Sequence, residues 1–113
     1  MALTISELRT RSSAAFGQAY RLEVMLAVAE SQDRRVCLSD LARDLALTTS
    51  NVQKPLRSLI DVGLLTGPTN AELRKKFYTK VDSPAWDWAY QLSGLRPGKA
   101  LGQLKRLTGD SDN

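Results

Sequence analysis

Histidine is absent from this chain, and cysteine occurs once, at Cys37. Histidine is the usual general base at neutral pH and the commonest metal ligand, so its absence removes the simplest catalytic and metal sites. A single thiolate without an imidazole does not make a metal site within one chain. No glycine-rich phosphate loop occurs either. We therefore expect that the protein is not an enzyme and that it binds no metal and no cofactor.

A second cysteine and a long apolar run are also missing. One cysteine excludes an intrachain disulfide framework, and no apolar stretch approaches the ~18 residues that a membrane span requires. The first residues, MALTISELRTRSS, lack the basic-then-apolar pattern of an export signal. These absences predict a cytoplasmic protein with no membrane partner. Its 113 residues, 42% of them hydrophobic, suffice for one modest core.

Positive charge is in excess, and it is unevenly distributed along the chain. The formal net charge is +4, yet residues 1–47 hold six basic and six acidic side chains. Residues 48–81 hold six basic side chains against two acidic ones, and residues 82–109 hold four against two. A localised basic surface indicates a polyanionic partner. At this modest density a merely solvated face is the simpler explanation, unless other features of the sequence support a partner.

Two helices are predicted before residue 32. Thr4 and Glu7 have the spacing of a capping box and begin a helix over residues 4–16, and Gly17 then indicates a break. Residues 18–31, QAYRLEVMLAVAES, are apolar nearly all round, which predicts a helix at the centre of the fold. A polar connection and the short apolar run VCL, which suits a short strand, follow this helix.

The middle of the chain is predicted to form two short helices, and after them the residue pattern changes from that of helices to that of strands. Ser39 is a suitable N-cap for the helix DLARDLA, and Thr48 is a suitable N-cap for a helix over residues 49–62 that ends at Gly63. The runs LLTG and KKFYTKV, on either side of PTNAELR, predict a β-hairpin. Two short helices joined by a tight turn and followed by a hairpin make a winged helix-turn-helix.

The C-terminal part contains one further clear helix. Ser83 followed by Pro84 predicts its first turn. The predicted organisation is one domain over residues 1–94 and a tail over residues 95–113 that is first basic and then acidic. A weak leucine pattern in the tail leaves two alternatives open, a short helix or disorder. The predicted class is mainly α with a small β-hairpin (α+β), a winged helix-turn-helix flanked by N- and C-terminal helices.

The helix predicted over residues 49–62 has two different sides. At about 100° per residue its aliphatic side chains fall together, and these are Val52, Leu56, Leu59 and Ile60. Polar side chains occupy or flank the opposite side, and the candidate DNA contacts among them are Thr49, Ser50, Asn51, Gln53, Lys54 and Arg57. Arginine and lysine suit guanine edges, asparagine and glutamine suit adenine, and a helix N-terminus favours phosphate. For this helix alone an ordinary solvated face is the better explanation. The short helix before it and the basic hairpin after it make DNA binding the favoured interpretation.

Pro55 lies inside this helix, at the edge of its apolar side. A proline in a helix interior removes one backbone hydrogen bond and favours a bend. One hypothesis is that a bend at Pro55 aims residues 49–54 into a DNA groove while the aliphatic side stays anchored.

Residues 38–65, LSDLARDLALTTSNVQKPLRSLIDVGLL, resemble the helix-turn-helix core of bacterial winged helix-turn-helix regulators of the MarR and ArsR type. In such families the pattern LxxLxxxGLL, found here at residues 56–65, leads into the wing. The resemblance covers roughly residues 18–81. It implies a dimer that binds duplex DNA, with residues 49–58 in the major groove and residues 66–76 at the minor groove or backbone.

The predicted function is therefore a sequence-specific transcriptional regulator, most simply a repressor, that binds double-stranded DNA as a homodimer. The wing contacts are expected to be Arg74, Lys75 and Lys76. The first and the last clear helices have apolar faces that need cover, and a two-fold mate would supply it. The candidate dimer contacts are Leu8, Phe16, Trp86, Trp88 and Tyr90. For any one of the aromatic residues, packing inside its own monomer is an equal alternative.

Two other functions remain open on the same fold. The first is a DNA-organising, partition or replication-control protein with less sequence preference, and the second is a winged-helix module that binds proteins. Cys37 also has two interpretations, a small core residue in VCL or a redox switch through a disulfide to a second subunit.

Overall fold

The computed structural model describes residues 3–70 and 76–108, which form six helices and a three-stranded antiparallel sheet. The helices are α1 (Ile5–Phe16), α2 (Arg21–Ala29), α3 (Leu38–Leu45), α4 (Thr49–Asp61), α5 (Pro84–Ser93) and α6 (Ala100–Leu107). The strands are β1 (Arg35–Val36), β2 (Leu65–Asn70) and β3 (Lys76–Lys80), in the order β1-β3-β2. The predicted mainly helical α+β class is confirmed. In the two described ranges, no helix has both the length and the apolar character to cross a membrane.

α2 lies at the centre of the fold. It packs against all five other helices in the described part of the chain, and Leu22, Val24 and Leu26 are fully buried. A helix enclosed on every side needs apolar residues all round, which explains its composition. The prediction of a central helix is confirmed, and the helix itself spans Arg21–Ala29.

One carboxylate lies inside these apolar surroundings. Glu23 of α2 is 1% exposed, and Arg9 of α1 donates to both of its oxygens, from Nε at 2.7 Å and from Nη2 at 3.1 Å. The Arg9 guanidinium also lies 4.8 Å from the ring centroid of Tyr20. The hydrogen bond to Glu23 raises the pKa of Arg9 above its ordinary value. Two charge-assisted hydrogen bonds thus offset the cost of burying the carboxylate and join α1 to α2.

Side-chain caps begin α1, α4 and α5, whereas the cap predicted for α3 needs a correction. The predicted capping box is present, since the Thr4 hydroxyl accepts from the Glu7 N–H at 3.0 Å and the Glu7 carboxylate accepts from the Thr4 N–H at 2.8 Å. Ser39, however, is not the N-cap of α3. The chain remains extended from β1 through Cys37, so Cys37 is the N-cap and the helix begins at Leu38.

α6 completes the core on the C-terminal side. Ala100 is fully buried and Leu104 is 2% exposed, because α6 packs on α2 and α3. Of the two alternatives for the tail, residues 100–107 therefore adopt the helix, and the core extends beyond the predicted boundary at residue 94. Residues 109–113, the acidic end of the tail, lie outside the described residues.

A single carboxylate joins α5 and the start of α6 to the C-terminus of α2. Glu30 accepts the hydroxyl proton of Tyr90 at 2.7 Å and the backbone N–H of Gly98 at 2.6 Å. Burial, together with the hydrogen bond to Glu30, raises the pKa of the Tyr90 phenol. The hydroxyl of Tyr90 is thus held by its own chain, and because the side chain is only half-buried its role as a dimer contact stays a prediction.

Two other predicted dimer contacts are covered by the chain itself. Leu8 is fully buried and Trp86 is 6% exposed, both in the hydrophobic core. The structure therefore corrects their assignment to an interface. The reason is that α1 and α5 both pack on α2 and touch each other, which covers their apolar faces within the monomer. Phe16 remains half-buried, and Trp88 is 45% exposed.

Candidate nucleic-acid interface

α4 is held by its apolar side and leaves its polar side open. Val52 and Leu59 are fully buried and Leu56 is 4% exposed, as predicted. Ile60, predicted to share this side, is only half-buried. Lys54 and Arg57, on the opposite side, are exposed.

Pro55 lies within α4, and its side chain is buried. The helix is continuous from Thr49 to Asp61, although a proline at this position provides no N–H for the carbonyl of Asn51. The ring packs on the core side, so it leaves the outer face of the helix unobstructed. The hypothesis that a bend here aims the first turn stays a prediction.

One flank of α4, together with part of its polar side, lies along an open groove of about 850 Å³ that β3 also lines. The side chains from α4 that line it are Thr49, Ser50, Gln53, Lys54, Leu56, Arg57 and Ile60. Lys76 and Tyr78 line it from β3, and Cys37, Leu38 and Ser39 line it near the start of α3. The groove therefore joins the two elements that the sequence predicts to contact DNA, the second helix and the hairpin.

Most of the predicted contact residues meet in this groove. Five of the six from the helix line it, together with Lys76 from the hairpin. Asn51 does not, because it lies on the other flank of α4. Arg74 and Lys75, predicted for the tip of the hairpin, lie outside the described residues.

The cations of the groove have no anionic partner among residues 3–70 and 76–108. Lys54, Arg57 and Lys76 are exposed, and none of them forms an ion pair with a described residue. Arg34 and Arg43 elsewhere on the surface do pair with aspartates. The N-terminus of α4 adds backbone N–H groups and the positive end of its dipole at the same groove. This combination suits a chain of phosphates.

The sequence reasoning missed Ser39 and Tyr78 as lining residues of the groove. The alternation of β3 contains the signal for Tyr78, because side chains two residues apart share one face of a strand and Lys76 is on the groove side. A further contact of the sheet that the sequence did not predict involves Arg35. This residue lies opposite Thr79 in the pairing of β1 with β3, and its guanidinium lies 4.9 Å from the ring centroid of Phe77. Because side chains alternate along β3, Phe77 and Arg35 lie on the face of the sheet opposite to Lys76 and Tyr78, away from the groove.

Cys37 lies at one end of the groove but is only 2% exposed. Its Sγ lies 3.5 Å from the Ser39 hydroxyl. This burial agrees with the interpretation as a small core residue, since a disulfide to a second subunit requires an accessible sulfur. No group of three or more metal-binding side chains occurs in the ranges that the structure describes.

Thr48 fixes the first turn of α4, which lines the groove. Its Oγ1 accepts the backbone N–H of Asn51 at 3.2 Å. We expect Thr48→Ala to lower the free energy of unfolding by about 1 kcal/mol, because the Asn51 N–H loses its side-chain acceptor and keeps only the Thr48 carbonyl at 3.1 Å. Denaturant unfolding of the variant measures this loss. Thr49→Ala is the matched control, since Thr49 is exposed and is not the cap; an equal loss there would contradict the role of Thr48.

Comparison of the chain with known protein families, with curated protein sequences and with solved structures finds no match.

Proposed function

We propose that this chain is a winged helix-turn-helix protein that binds double-stranded DNA in a sequence-specific manner and regulates transcription, most simply as a repressor. In this proposal α3 and α4 are the helix-turn-helix, α4 is the recognition helix, and β2 with β3 forms the wing. The element order and the tight turn from Leu45 to Thr49 support it.

One observation carries the proposal more than any other. Lys54 and Arg57 from α4 and Lys76 from β3 line one open groove, and all three lack an anionic partner among the described residues. An ordinary solvated helix face explains exposed cations, but it does not explain why two separate elements direct them into a common concavity. A polyanion of regular shape does explain it.

In the proposed mechanism, one set of residues contacts the bases and another set binds the phosphate backbone. Arg57, Lys54 and Gln53 reach base edges in the major groove, where arginine and lysine suit guanine and glutamine suits adenine. The α4 N-terminus and Lys76 hold the phosphate backbone, which fixes the register of the helix on the duplex without reading sequence. As a repressor, the bound protein then blocks access to a promoter.

The proposal includes a homodimer on a partly palindromic site. A two-fold dimer presents two recognition helices about one DNA turn apart, roughly 34 Å. Leu8 and Trp86 cannot contribute because they are buried, so Phe16, Trp88 and the half-buried Tyr90 are the remaining aromatic candidates for the contact.

Selection of bound sequences from random duplexes, with the full chain and at two salt concentrations, tests the proposed function. We expect one enriched motif with two-fold symmetry and an affinity that falls steeply with salt. Binding without an enriched motif would instead favour the DNA-organising alternative. Failure to bind any duplex at low salt would contradict DNA binding and favour the protein-interaction alternative.

Lys76→Ala should weaken binding to all duplexes alike. A lysine that contacts phosphate contributes no sequence preference, and its loss lowers the slope of log K against log salt by about one. Fluorescence anisotropy on the selected duplex and on a scrambled one measures both quantities. Lys99→Ala is the control with the same change of charge, at an exposed residue outside the groove. An equal effect of both variants would show that only net charge matters.

A further inference from the structure

Trp88 is the largest exposed apolar side chain among the described residues. It is 45% exposed on α5, and its ring meets Phe16 of α1 edge to face, with 5.4 Å between centroids. Phe16 is itself only half-buried, so the two rings form one apolar surface. An indole with this exposure is a common anchor at protein interfaces, where a partner covers the ring.

A cation lies against the same surface. The Arg21 guanidinium is 4.9 Å from the ring centroid of Phe16, so Arg21 and Trp88 both contact one aromatic ring. We call Arg21, Phe16 and Trp88 together the aromatic corner. Its two contacts limit it to roughly 10 Å across, about the length of three extended residues. A single short segment of another chain can therefore touch all three side chains.

Arg21 has no anionic partner in the described part of the chain. It forms no ion pair with any residue there, and its enclosed Nε has no hydrogen-bond partner. Glu23 is the only acidic residue of α2, but it lies about 200° further round the helix, and both of its oxygens accept from Arg9. Burial lowers the pKa of Arg21 below its ordinary value. A half-buried guanidinium that has lost water and gained no carboxylate favours an acidic group from outside the monomer.

The start of α2 adds a second preference for an anion. Arg21 is the first residue of this helix, and the N-cap Tyr20 makes no side-chain hydrogen bond to the first turn. Side chains lean toward the N-terminus of their helix, so the guanidinium lies at the positive end of the α2 dipole. A cation at that end costs stability, whereas a carboxylate beside it is stabilised both by the dipole and by the guanidinium.

The surroundings favour a protein over a nucleic acid as the source of this carboxylate. α5 contains no lysine or arginine, and the unpaired cations that suit a chain of phosphates line the groove between α4 and β3 instead. One guanidinium beside two rings matches one carboxylate close to one apolar side chain. Acidic-hydrophobic segments of proteins present this combination.

We propose that the aromatic corner docks an acidic segment of a different protein, with a carboxylate of the segment on Arg21 and an aromatic or leucine side chain against Phe16 and Trp88. The charges are complementary, and the apolar contact covers the exposed indole. The contact is small beside the roughly 1,600 Å² of a standard interface, so we expect micromolar affinity. This assignment removes Phe16 and Trp88 from the candidates for the dimer contact and leaves Tyr90.

The position of the aromatic corner leaves the DNA groove open. Gln18, in the connection between α1 and α2, donates to the Ser58 hydroxyl of α4 at 2.9 Å. Measured from Val52 around the helix axis, Ser58 lies about 120° to one side, whereas Gln53 and Arg57 lie about 100–140° to the other. A segment docked at the corner thus approaches the flank of α4 that does not line the groove. The chain should therefore bind the segment and a duplex together.

Selection from a displayed library of random peptides, with the full chain as the target, tests the docking site. We expect an enriched motif in which aspartate or glutamate lies within a few residues of an aromatic residue or leucine. Fluorescence anisotropy of a labelled synthetic peptide with this motif then measures the affinity. Changing its acidic residue to the matching amide should weaken binding about tenfold or more, because the peptide loses the charge that Arg21 binds.

Variants of the chain locate the bound peptide. Arg21→Met and Trp88→Ala should each weaken it about tenfold or more, and both should stay folded, because methionine still packs on Phe16 and Trp88 is exposed. A peptide with lysine in place of its acidic residue should bind Arg21→Glu more tightly than the wild-type chain. Arg96→Met is the matched control, an exposed arginine outside the corner, and it should bind the acidic peptide as the wild-type chain does.

The inference is overturned if no acidic motif is enriched, or if the selected peptide binds Arg21→Met and Trp88→Ala as tightly as the wild-type chain. It is also overturned if sedimentation velocity shows that Trp88→Ala dissociates a homodimer while peptide binding persists, since the corner is then a subunit contact. A single-stranded oligonucleotide that binds only when Trp88 is present, where no peptide binds, would contradict a protein occupant. Binding of the same variants to the selected duplex is measured separately and should be unchanged, so failure of the docking site and failure of the proposed function are distinct results.

Discussion

Replacing Lys54 and Arg57 together by alanine is expected to lower the affinity for the selected duplex at least about thirtyfold, since each base or phosphate contact of this kind contributes roughly 1–3 kcal/mol. Both side chains are exposed and line the groove. The core side of α4, where Val52 and Leu59 are fully buried, is untouched, so the fold should be retained. Loss of Arg57 should in addition relax the preference at one position of the motif.

Titration of labelled duplexes by anisotropy measures this loss, and circular dichroism confirms folding. The matched control is Arg96→Ala with Lys99→Ala, which removes the same charge from two exposed residues outside the groove. We expect the control to lower affinity only slightly, through the general field of the protein. Equal losses of affinity in the two double variants would contradict specific DNA contacts by Lys54 and Arg57. They would indicate that only the total positive charge of the protein matters.

Arg9→Ala is expected to lower the free energy of unfolding by about 3–5 kcal/mol, the range for removing one partner of a buried ion pair. Glu23 is 1% exposed, and both of its oxygens accept from Arg9. Without the guanidinium the carboxylate stays in the core, adjacent to side chains that cannot solvate it. The contact of Arg9 with Tyr20 is lost as well. For a domain of this size the change approaches the whole stability.

Urea unfolding followed by tryptophan fluorescence measures the effect. Arg43→Ala is the control at a surface pair, since Arg43 is 69% exposed and bonds Asp40 at 3.1 Å, and it should cost no more than about 1 kcal/mol. The double variant Arg9→Met, Glu23→Leu should recover most of the stability, because two apolar side chains replace two buried charges. A double variant as unstable as Arg9→Ala would contradict the account based on desolvation.

Much of the structure from α3 to α4 could be predicted from neighbouring residues alone. The 3.6-residue period separates buried Val52 and Leu59 from exposed Lys54 and Arg57. Thr4 and Thr48 were identified as caps because a hydroxyl reaches an N–H only three residues ahead. The α3 boundary was wrong by two residues because the pairing of β1 with β3, a contact distant in sequence, keeps Cys37 extended.

Other features depend on which faces the fold covers. The sequence shows that Leu8 and Trp86 are apolar, but it does not show whether a second copy or α2 covers them. Glu23 reads as a polar position in an otherwise apolar helix, and its burial becomes understandable only when Arg9, fourteen residues earlier, is placed beside it. The leucines of the tail were too weakly patterned to predict that α6 closes the core.

The sequence by itself determined where α1, α4 and α5 begin, which side of α4 is aliphatic, and that positive charge is concentrated after residue 47. Such properties depend on residues a few positions apart, so local chemistry decides them. Only the tertiary structure decided that Lys54 and Lys76 line one groove, and that Trp88 stays exposed while Trp86 is buried. These outcomes depend on how distant segments pack, because burial is a property of the whole core rather than of any single helix.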